Sequence, residues 1–351
     1  METNDLIIDT SIMNNENMFK KFTVRMTIQC HWDEQLYLDM VNKIYNGLDS
    51  KLIFKKISND SKYHNIMTCT VSIHKFTVLE HIFMPMFKNK PILGKKYNDM
   101  ILWLNALELV MDNNTSTDNI KKAIDLKNQM NTKSTFNDLS LTTEFYNKML
   151  NLQYIIGFFE AEGTFSIRYM MNTHSFGISM NITQKRGSNL LMKSMLEYLY
   201  NLPIDSNCKI KLDNTIPKMI DRADKNQVMI QITNLDRMYY SVMPALAKEK
   251  FYTRKQIDFV MFMIGIIMLK HGLHYIPEGW KLYHTLRENM NKYRYYTNNV
   301  GLPTLKDIMD ILTLKPLHDT TKNNRQNTSK YKRVYFDINK NMKIYTPIKL
   351  K

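Results

Sequence analysis

Two carboxylates close an apolar run in the middle of the chain. Residues 152–167 read LQYIIGFFEAEGTFSI, with Glu160 and Glu162 just ahead of Gly163. The apolar spacing predicts a helix that ends at these acids. Gly157 and Ala161, four apart, share one face of it. Small residues at that spacing let another backbone approach closely, so they form a candidate helix-packing pair. Glu162 then stands at the helix C-terminus, where the macrodipole is negative and an acid is poorly placed. A divalent cation would cancel that repulsion, which makes Glu162 a candidate metal ligand. Gly163 is expected to cap the helix in the left-handed conformation. A helix that simply ends in exposed glutamates spells the same letters, so the surrounding elements must decide.

Those elements occur twice. In FTVRMTIQ, Phe22, Val24, Met26 and Ile28 alternate with Thr23, Arg25, Thr27 and Gln29. FGISMNITQK repeats the pattern, with Phe176, Ile178, Met180 and Ile182 against Ser179, Asn181 and Thr183. Period-two alternation predicts a half-buried strand. An amphipathic helix follows each, over 32–48 and 189–202. KKYNDMILWLNALELV, from Lys95, matches RKQIDFVMFMIGIIML, from Arg254, with Asp99 opposite Asp258. A Met-Asn pair closes a shorter helix at Asn131 and again at Asn291. These landmarks recur in the same order and at nearly constant spacing. Further strands are expected at 51–57, 65–73, 207–212 and 226–233, and helices at 75–87 and 235–246.

Each half thus reads as strand, helix, two strands, then helices, an α+β arrangement with antiparallel sheets. The expected divisions are a first half at 1–131, a linker at 132–150, a second half at 151–295 and a basic C-terminal extension at 296–351. Thr304 is expected to cap a helix running to Leu314. The tail beyond it is rich in Lys and Arg and reads as a disordered arm or an added phosphate-gripping segment.

Composition points to the partner. The formal net charge is +15, from 48 Lys and Arg against 33 Asp and Glu. Such a surplus suits a polyanion, either nucleic acid or an anionic membrane face. The longest apolar run, Phe259 to Leu269, is too short to cross a bilayer, and the N-terminus has no secretory pattern. Nucleic acid is therefore favoured over membrane. On the polar strand faces, Lys and Arg would neutralise phosphates while Gln, Asn and Thr reach base or sugar edges. The candidates are Arg25, Thr27, Gln29 and Lys55 in the first half. In the second they are Asn181, Lys185, Arg186, Lys209, Lys211, Gln227 and Gln231. Cys30, Cys69 and Cys208 lie far apart in sequence and form no C-x-x-C pair, so free buried thiols are expected. His271 and His274 lack a third ligand at zinc spacing and read as surface or cap residues. Tyr293, Tyr295 and Tyr296, beside Lys292 and Arg294, either stack on bases or pack on the domain. The abundance of Lys, Asn, Ile, Tyr and Met, with only 10 Gly and 9 Pro, suggests AT-rich coding of the fungal mitochondrial kind.

The run Gly157-Phe158-Phe159-Glu160-Ala161-Glu162-Gly163, with Phe165 and Ile167 in the strand after it, resembles the motif of the LAGLIDADG homing endonucleases and related group I intron maturases. The resemblance extends over residues 18 to 295. It implies two pseudo-symmetric halves whose sheets form a saddle, with helices on the opposite face and two motif helices packed at the centre. Each helix brings one acid to a metal site, since in-line displacement needs metal at the attacking and leaving oxygens. By resemblance, Glu162 is the metal ligand, for Mg²⁺. Gln184 and Lys248 or Lys250 are its active-site neighbours.

The first half departs from this pattern. Carrying the offset between the two alternating strands back from Glu162 lands at Ile8, and METNDLIIDTSIMNN spells no second motif. The first motif helix is expected to be absent or degenerate, with LIIDTSIM a strand instead. Double-strand cleavage then lacks its second acid. The leading expectation is an intron maturase that binds structured RNA in the mitochondrial matrix, its affinity set by charge and shape. The alternatives are a Mg²⁺-dependent endonuclease on duplex DNA, with Asp5 or Asp9 as the missing acid, and an RNA-binding component of a mitochondrial ribonucleoprotein particle. The Gly157 face would be covered by residues 1–15, by another protein or by a second copy.

Overall fold

The computed structural model describes residues 3–11, 21–31, 51–56, 67–73, 75–94, 96–111, 116–130, 141–170, 175–291, 303–315, 331–337 and 342–347. The chain divides into two compact units, residues 1–149 with 186–191, and residues 150–185 with 192–351.

The first unit holds strands β1 (Thr3–Ser11), β2 (Lys21–His31), β3 (Lys51–Lys56) and β4 (Met67–Ile73) in one antiparallel sheet of order β1-β2-β4-β3. Helices α1 (Phe76–Val78) and α2 (Met84–Asn89) flank a π-helical turn at Leu79–Phe83. Then come α3 (Lys96–Met111), α4 (Thr117–Gln129) and α5 (Thr143–Met149). Helix α5 lies within the stretch expected to be linker. Its Tyr146 is fully buried, and Thr142 Oγ1 accepts from Phe145 N at 3.1 Å at its start. Val24, Met26, Val71 and Ile73 form the buried sheet face against Phe83, Phe87, Trp103 and Leu107. Trp103 is wholly buried, so its indole N–H needs a partner; it donates to Arg25 O at 3.1 Å. The helix expected at 32–48 lies outside the described residues. The register sets Cys30 opposite Cys69, which the linear sequence separates.

The second unit opens with α6 (Leu152–Glu162) and continues through β5 (Gly163–Met170), β6 (Ser175–Lys185), α7 (Asn189–Tyr200, whose residues up to Leu191 fall in the first unit), β7 (Ile220–Arg222) and β8 (Gln227–Ile232). Its sheet order is β5-β6-β8-β7, again antiparallel and the same topology as the first. Helices α8 (Leu235–Arg237) and α9 (Met243–Leu246) flank a second π-helical turn at Met238–Val242. They are followed by α10 (Lys255–His271), α11 (Pro277–Asn289) and α12 (Leu305–Leu312). Phe165 centres an aromatic core, with ring centroids 4.5 Å from Phe159, 4.8 Å from Phe262 and 5.7 Å from Phe259. Thr304 caps α12 through a reciprocal box with Asp307. The tail is not wholly an arm: β9 (Tyr331–Asp337) and β10 (Met342–Pro347) pair antiparallel.

The repeat is more regular than the sequence landmarks suggest. Each π-turn is followed by Met-Pro, at Met84-Pro85 and again at Met243-Pro244. Proline has no N–H for the carbonyl four residues back and clashes with it, so a widened turn fits there. In the second unit that carbonyl, Tyr240 O, accepts instead from Asp205 N at 2.7 Å.

The strand registers allow the same comparison at the motif. Leu6 pairs with Met26, which pairs with Ile73; Phe165 pairs with Met180, which pairs with Ile232. Aligning Met26 with Met180 sets Leu6 against Phe165 and Ile73 against Ile232, and both pairs share the offset of the two Met-Pro steps. The connection between the first two strands is longer in the first unit, so β2 and β6 lie closer in sequence than the other equivalent elements. By this register Glu162 corresponds to Thr3 and Gly163 to Asn4, which corrects the expected landing at Ile8. Asp5 and Asp9 lie within strand β1, opposite Thr27 and Thr23.

One expected strand is absent. Residues 207–212 form no ladder, and β7 runs over Ile220–Arg222 instead. Local side-chain bonds hold the segment in turns: Asp205 Oδ1 accepts from Asn207 N at 2.8 Å and Asp213 Oδ1 from Thr215 N at 2.9 Å. The buried Arg237 guanidinium donates to Tyr200 O at 3.1 Å and to Asp213 O at 3.0 Å, anchoring the loop without a strand.

Candidate metal and nucleic-acid site

Helix α6 starts at Asn151, whose side chain accepts from Tyr154 N at 2.8 Å. It buries Ile155, Ile156 and Phe159 and exposes Gly157, Ala161 and Glu162. A methyl added at Gly157 would meet nothing within 4 Å, so the small-residue face is open among the described residues.

The helix ends differently from expectation. Gly163 has φ −83° and ψ 159°, an extended residue that opens β5 directly. Glycine is needed there for space, not for a left-handed turn. A Cβ would fall 2.3 Å from Phe159 Cδ2, inside the ring that packs on Phe165.

The two acids have separate surroundings. Glu160 Oε1 accepts from the backbone N–H of Tyr252 at 2.6 Å and of Thr253 at 2.7 Å. Both donors lie on the lead into α10, so Glu160 ties the end of α6 to the start of that helix. Such charge-assisted bonds are among the stronger ones. Glu162 is exposed and makes no hydrogen bond or ion pair with a described residue. Lys255, 2% exposed, donates from Nζ to Gly163 O and lies 5.3 Å from the Phe159 ring centroid. Its charge offsets the negative helix end, which answers the electrostatic objection to an acid there. In the second unit, the Asp and Met-Asn landmarks belong to the same support. The buried Asp258 accepts from Asn291 N at 2.9 Å, and Asn291 Nδ2 donates to Phe165 O at 2.8 Å. Asn291 sits at φ 63°, a conformation asparagine tolerates better than most residues.

Gln184 is half-buried on β6, two residues beyond Ile182, the cross-strand partner of Gly163. Strand β6 therefore carries it past the end of α6. Lys248 and Lys250 are exposed just before α10, and Lys250 Nζ lies 5.3 Å from the Tyr252 ring. Tyr252 also supplies one of the amides that bind Glu160, so Lys250 is two residues from that junction.

The proposed nucleic-acid residues separate into three groups. Asn181, Lys185, Gln227 and Gln231 share the polar face of the second sheet, with Asn181 opposite Gln231 and Lys185 opposite Gln227. Arg25 and Thr27 lie on β2, where Thr27 Oγ1 and Ser72 Oγ are 3.3 Å apart across the strands. Gln29 and Lys55 have backbone positions on β2 and β3. Lys209, Lys211 and Arg186 are exposed in irregular segments and off the sheets, a correction for the first two. The tyrosines at 293, 295 and 296 lie outside the described residues.

The histidines also need correction. His274 is buried, with Nδ1 3.2 Å from Met268 O, among Phe176, Tyr275 and Tyr283. His271 is half-buried beside Tyr239 OH at 3.1 Å, and burial followed by the Lys270 charge holds its pKa below the usual imidazole value. Neither approaches a metal set, and no group of three or more His, Cys, Asp or Glu residues suited to a metal occurs among the described residues. Sequence reasoning does not single out Lys255, Glu160 or Asn291 as site residues. A signal is present in the paired runs KKYNDM and RKQIDF, which carry Lys96 and Lys255 at equivalent places.

Known proteins resemble this chain in sequence and in fold. Residues 155–265 match the LAGLIDADG endonuclease family. The uncharacterized mitochondrial protein RF1 of Saccharomyces cerevisiae is 31% identical over 239 residues, covering 65% of this chain and 48% of that protein. The probable intron-encoded endonuclease Cox1-I1b of Schizosaccharomyces pombe is 26% identical over 187 residues, covering 52% and 46%. The chain spans about half the length of these curated relatives. Among solved structures, I-SmaMI bound to uncleaved DNA target with calcium ions aligns at TM-score 0.63 and 16% identity, covering 82% of this chain and 95% of that one. The homing endonuclease I-GzeII in complex with its DNA target aligns at TM-score 0.62 and 15% identity, covering 83% and 95%. At that identity the likeness establishes a shared fold. No described helix is long and apolar enough to cross a membrane.

Proposed function

Through residues 155–265 this chain belongs to the LAGLIDADG endonuclease family, and from that premise we propose that it acts in mitochondria, grips duplex DNA with the polar faces of its sheets and cuts one strand at Glu162. One observation carries this reading. Of the two motif acids, Glu160 is occupied by two backbone amides, while Glu162 stands exposed and unengaged by described residues on a supported helix end. The mitochondrial setting is taken from the name of the RF1 relative and DNA from the targets bound in the structures that share the fold; that the DNA is duplex is part of the proposal.

A divalent cation of the Mg²⁺ type fits the residues present. Such ions take oxygen ligands, keep several waters and are commonly held by one or two carboxylates plus phosphate oxygens. Glu162 offers that carboxylate, exposed where a phosphate could complete the ligand set. When bound, the ion supplies Lewis-acid stabilisation of the phosphoryl oxygens. Gln184 is suited to orient a water, and Lys248 and Lys250 to neutralise the phosphate. A second copy or another protein would cover the open Gly157 face.

A second reading is favoured by the first unit. The place equivalent to Glu162 there is Thr3, a hydroxyl where a second acid would be needed for cutting the other strand. A protein with one acid suits a group I intron maturase that binds structured RNA, or an RNA-binding particle component. The test is incubation of supercoiled plasmids carrying mitochondrial DNA with Mg²⁺. Nicked circles from the wild-type chain, lost in Glu162→Gln while DNA binding persists, are expected. Absence of Mg²⁺-dependent nicking, together with stimulated splicing of a group I intron at limiting Mg²⁺, would establish the maturase reading instead.

A further inference from the structure

The polar face of the second sheet carries a fixed pair of amides. Asn181 and Gln231 are direct cross-strand partners on β6 and β8. Gln231 Nε2 donates to Asn181 Oδ1 at 2.8 Å, and Asn181 Nδ2 donates to Ser179 Oγ at 3.1 Å. Ser179 is only 1% exposed, so the chain of bonds is anchored in buried structure. Both amides are half-buried, with exposed Thr164 opposite Asn181 on β5 and exposed Lys185 four residues along β6. A side-chain amide has two N–H donors and one carbonyl acceptor. With one N–H given to Asn181, Gln231 keeps its other N–H and Oε1 for a partner. The orientation of that remaining pair is set by Asn181.

We infer that Gln231 is a base-reading residue that selects adenine in the major groove of duplex DNA, and that Asn181 is the positioning residue that holds its amide for the purpose. Adenine presents N7 as acceptor and the N6 amino group as donor, the complement of the remaining pair. Guanine presents two acceptors there, N7 and O6, and would face the Gln231 oxygen with a second oxygen. Cytosine offers a donor alone and thymine an acceptor beside a methyl group. The major groove of B-form DNA is wide enough for a β-ribbon, whereas that of A-form RNA is too deep and narrow for side chains to read. The inference therefore commits to DNA, and it rests on the reading that this sheet face binds a duplex.

The experiment is selection from a randomised duplex DNA library with the full chain, its Gln231→Ala and Asn181→Ala variants, followed by sequencing. The wild-type chain should enrich a site containing an adenine whose preference is about 5- to 150-fold, the range of one good bidentate contact. Gln231→Ala should flatten that one position and leave the others intact, which also shows that the variant folds. Asn181→Ala should weaken the preference at the same position by a smaller factor. An enriched site whose every position survives Gln231→Ala, or a flattened position that had been guanine, overturns the assignment while leaving duplex binding in place. A wild-type chain that binds the library without sequence preference overturns the assignment too. A chain that fails to bind duplexes sinks the DNA reading itself, and the assignment with it.

Discussion

Lys96 and Lys255 occupy the same place in the two units, each at the start of a long helix and three residues before an aspartate. Their surroundings differ. Lys96 has a 40% exposed side chain and pairs with Asp99 at 3.5 Å. Lys255 is buried against Phe159 and Gly163 O, while Asp258 receives Asn291. One repeated Lys-x-x-Asp spacing thus serves as a surface ion pair in one unit and as the support of a motif helix in the other. The residue types are set by the duplication; their work is set by what packs on them.

The largest effect should come from separating these twins. Lys255→Ala removes a buried cationic donor to Gly163 O and leaves a cavity beside Phe159. It should destabilise the second unit by about 3 kcal/mol, as expected when a buried charged partner is removed. Lys96→Ala removes an exposed pair and should cost under about 0.5 kcal/mol. Denaturant unfolding of both variants checks this, and equal losses would break the comparison.

A smaller effect sharpens it within the motif. Glu160→Ala strands two backbone N–H groups at the entry to α10 and should cost about 2 kcal/mol. Glu160→Gln keeps an acceptor and should cost roughly half of that. Thermal unfolding of the pair measures the difference. An alanine variant as stable as wild type would mean that the junction of α6 and α10 does not depend on Glu160.

How much of this is legible in the sequence depends on the kind of signal. Alternation in FTVRMTIQ and FGISMNITQK locates β2 and β6, since period two survives without any partner in view. The capping residue Thr304 and the long buried helix around Phe259 are equally local, and both are found. Lys209 and Lys211 are misplaced because their alternation looks like a strand, while Asp205, Asp213 and Arg237 hold the segment in turns. Gly163 misleads for a similar reason. Its identity is fixed by the Phe159 ring beneath it, a contact no neighbouring letter reports. The division of labour between Glu160 and Glu162 is also out of reach. The donors to Glu160 lie 92 and 93 residues away. Setting Thr3 against Glu162 requires strand registers, because the unequal first connection hides the correspondence.

The smallest structural change bears on the central claim that Glu160 builds the helix end and Glu162 uses it. Mn²⁺ titration, followed by paramagnetic broadening of the backbone amide resonances around Gly163, reads cation binding at that end without requiring catalysis. The account predicts broadening in the wild-type chain and in Glu160→Gln. It predicts none in Glu162→Gln, whose stability should stay within about 0.5 kcal/mol of wild type, as for an exposed side chain. Broadening that persists in Glu162→Gln, or that disappears only in Glu160→Gln, would contradict it.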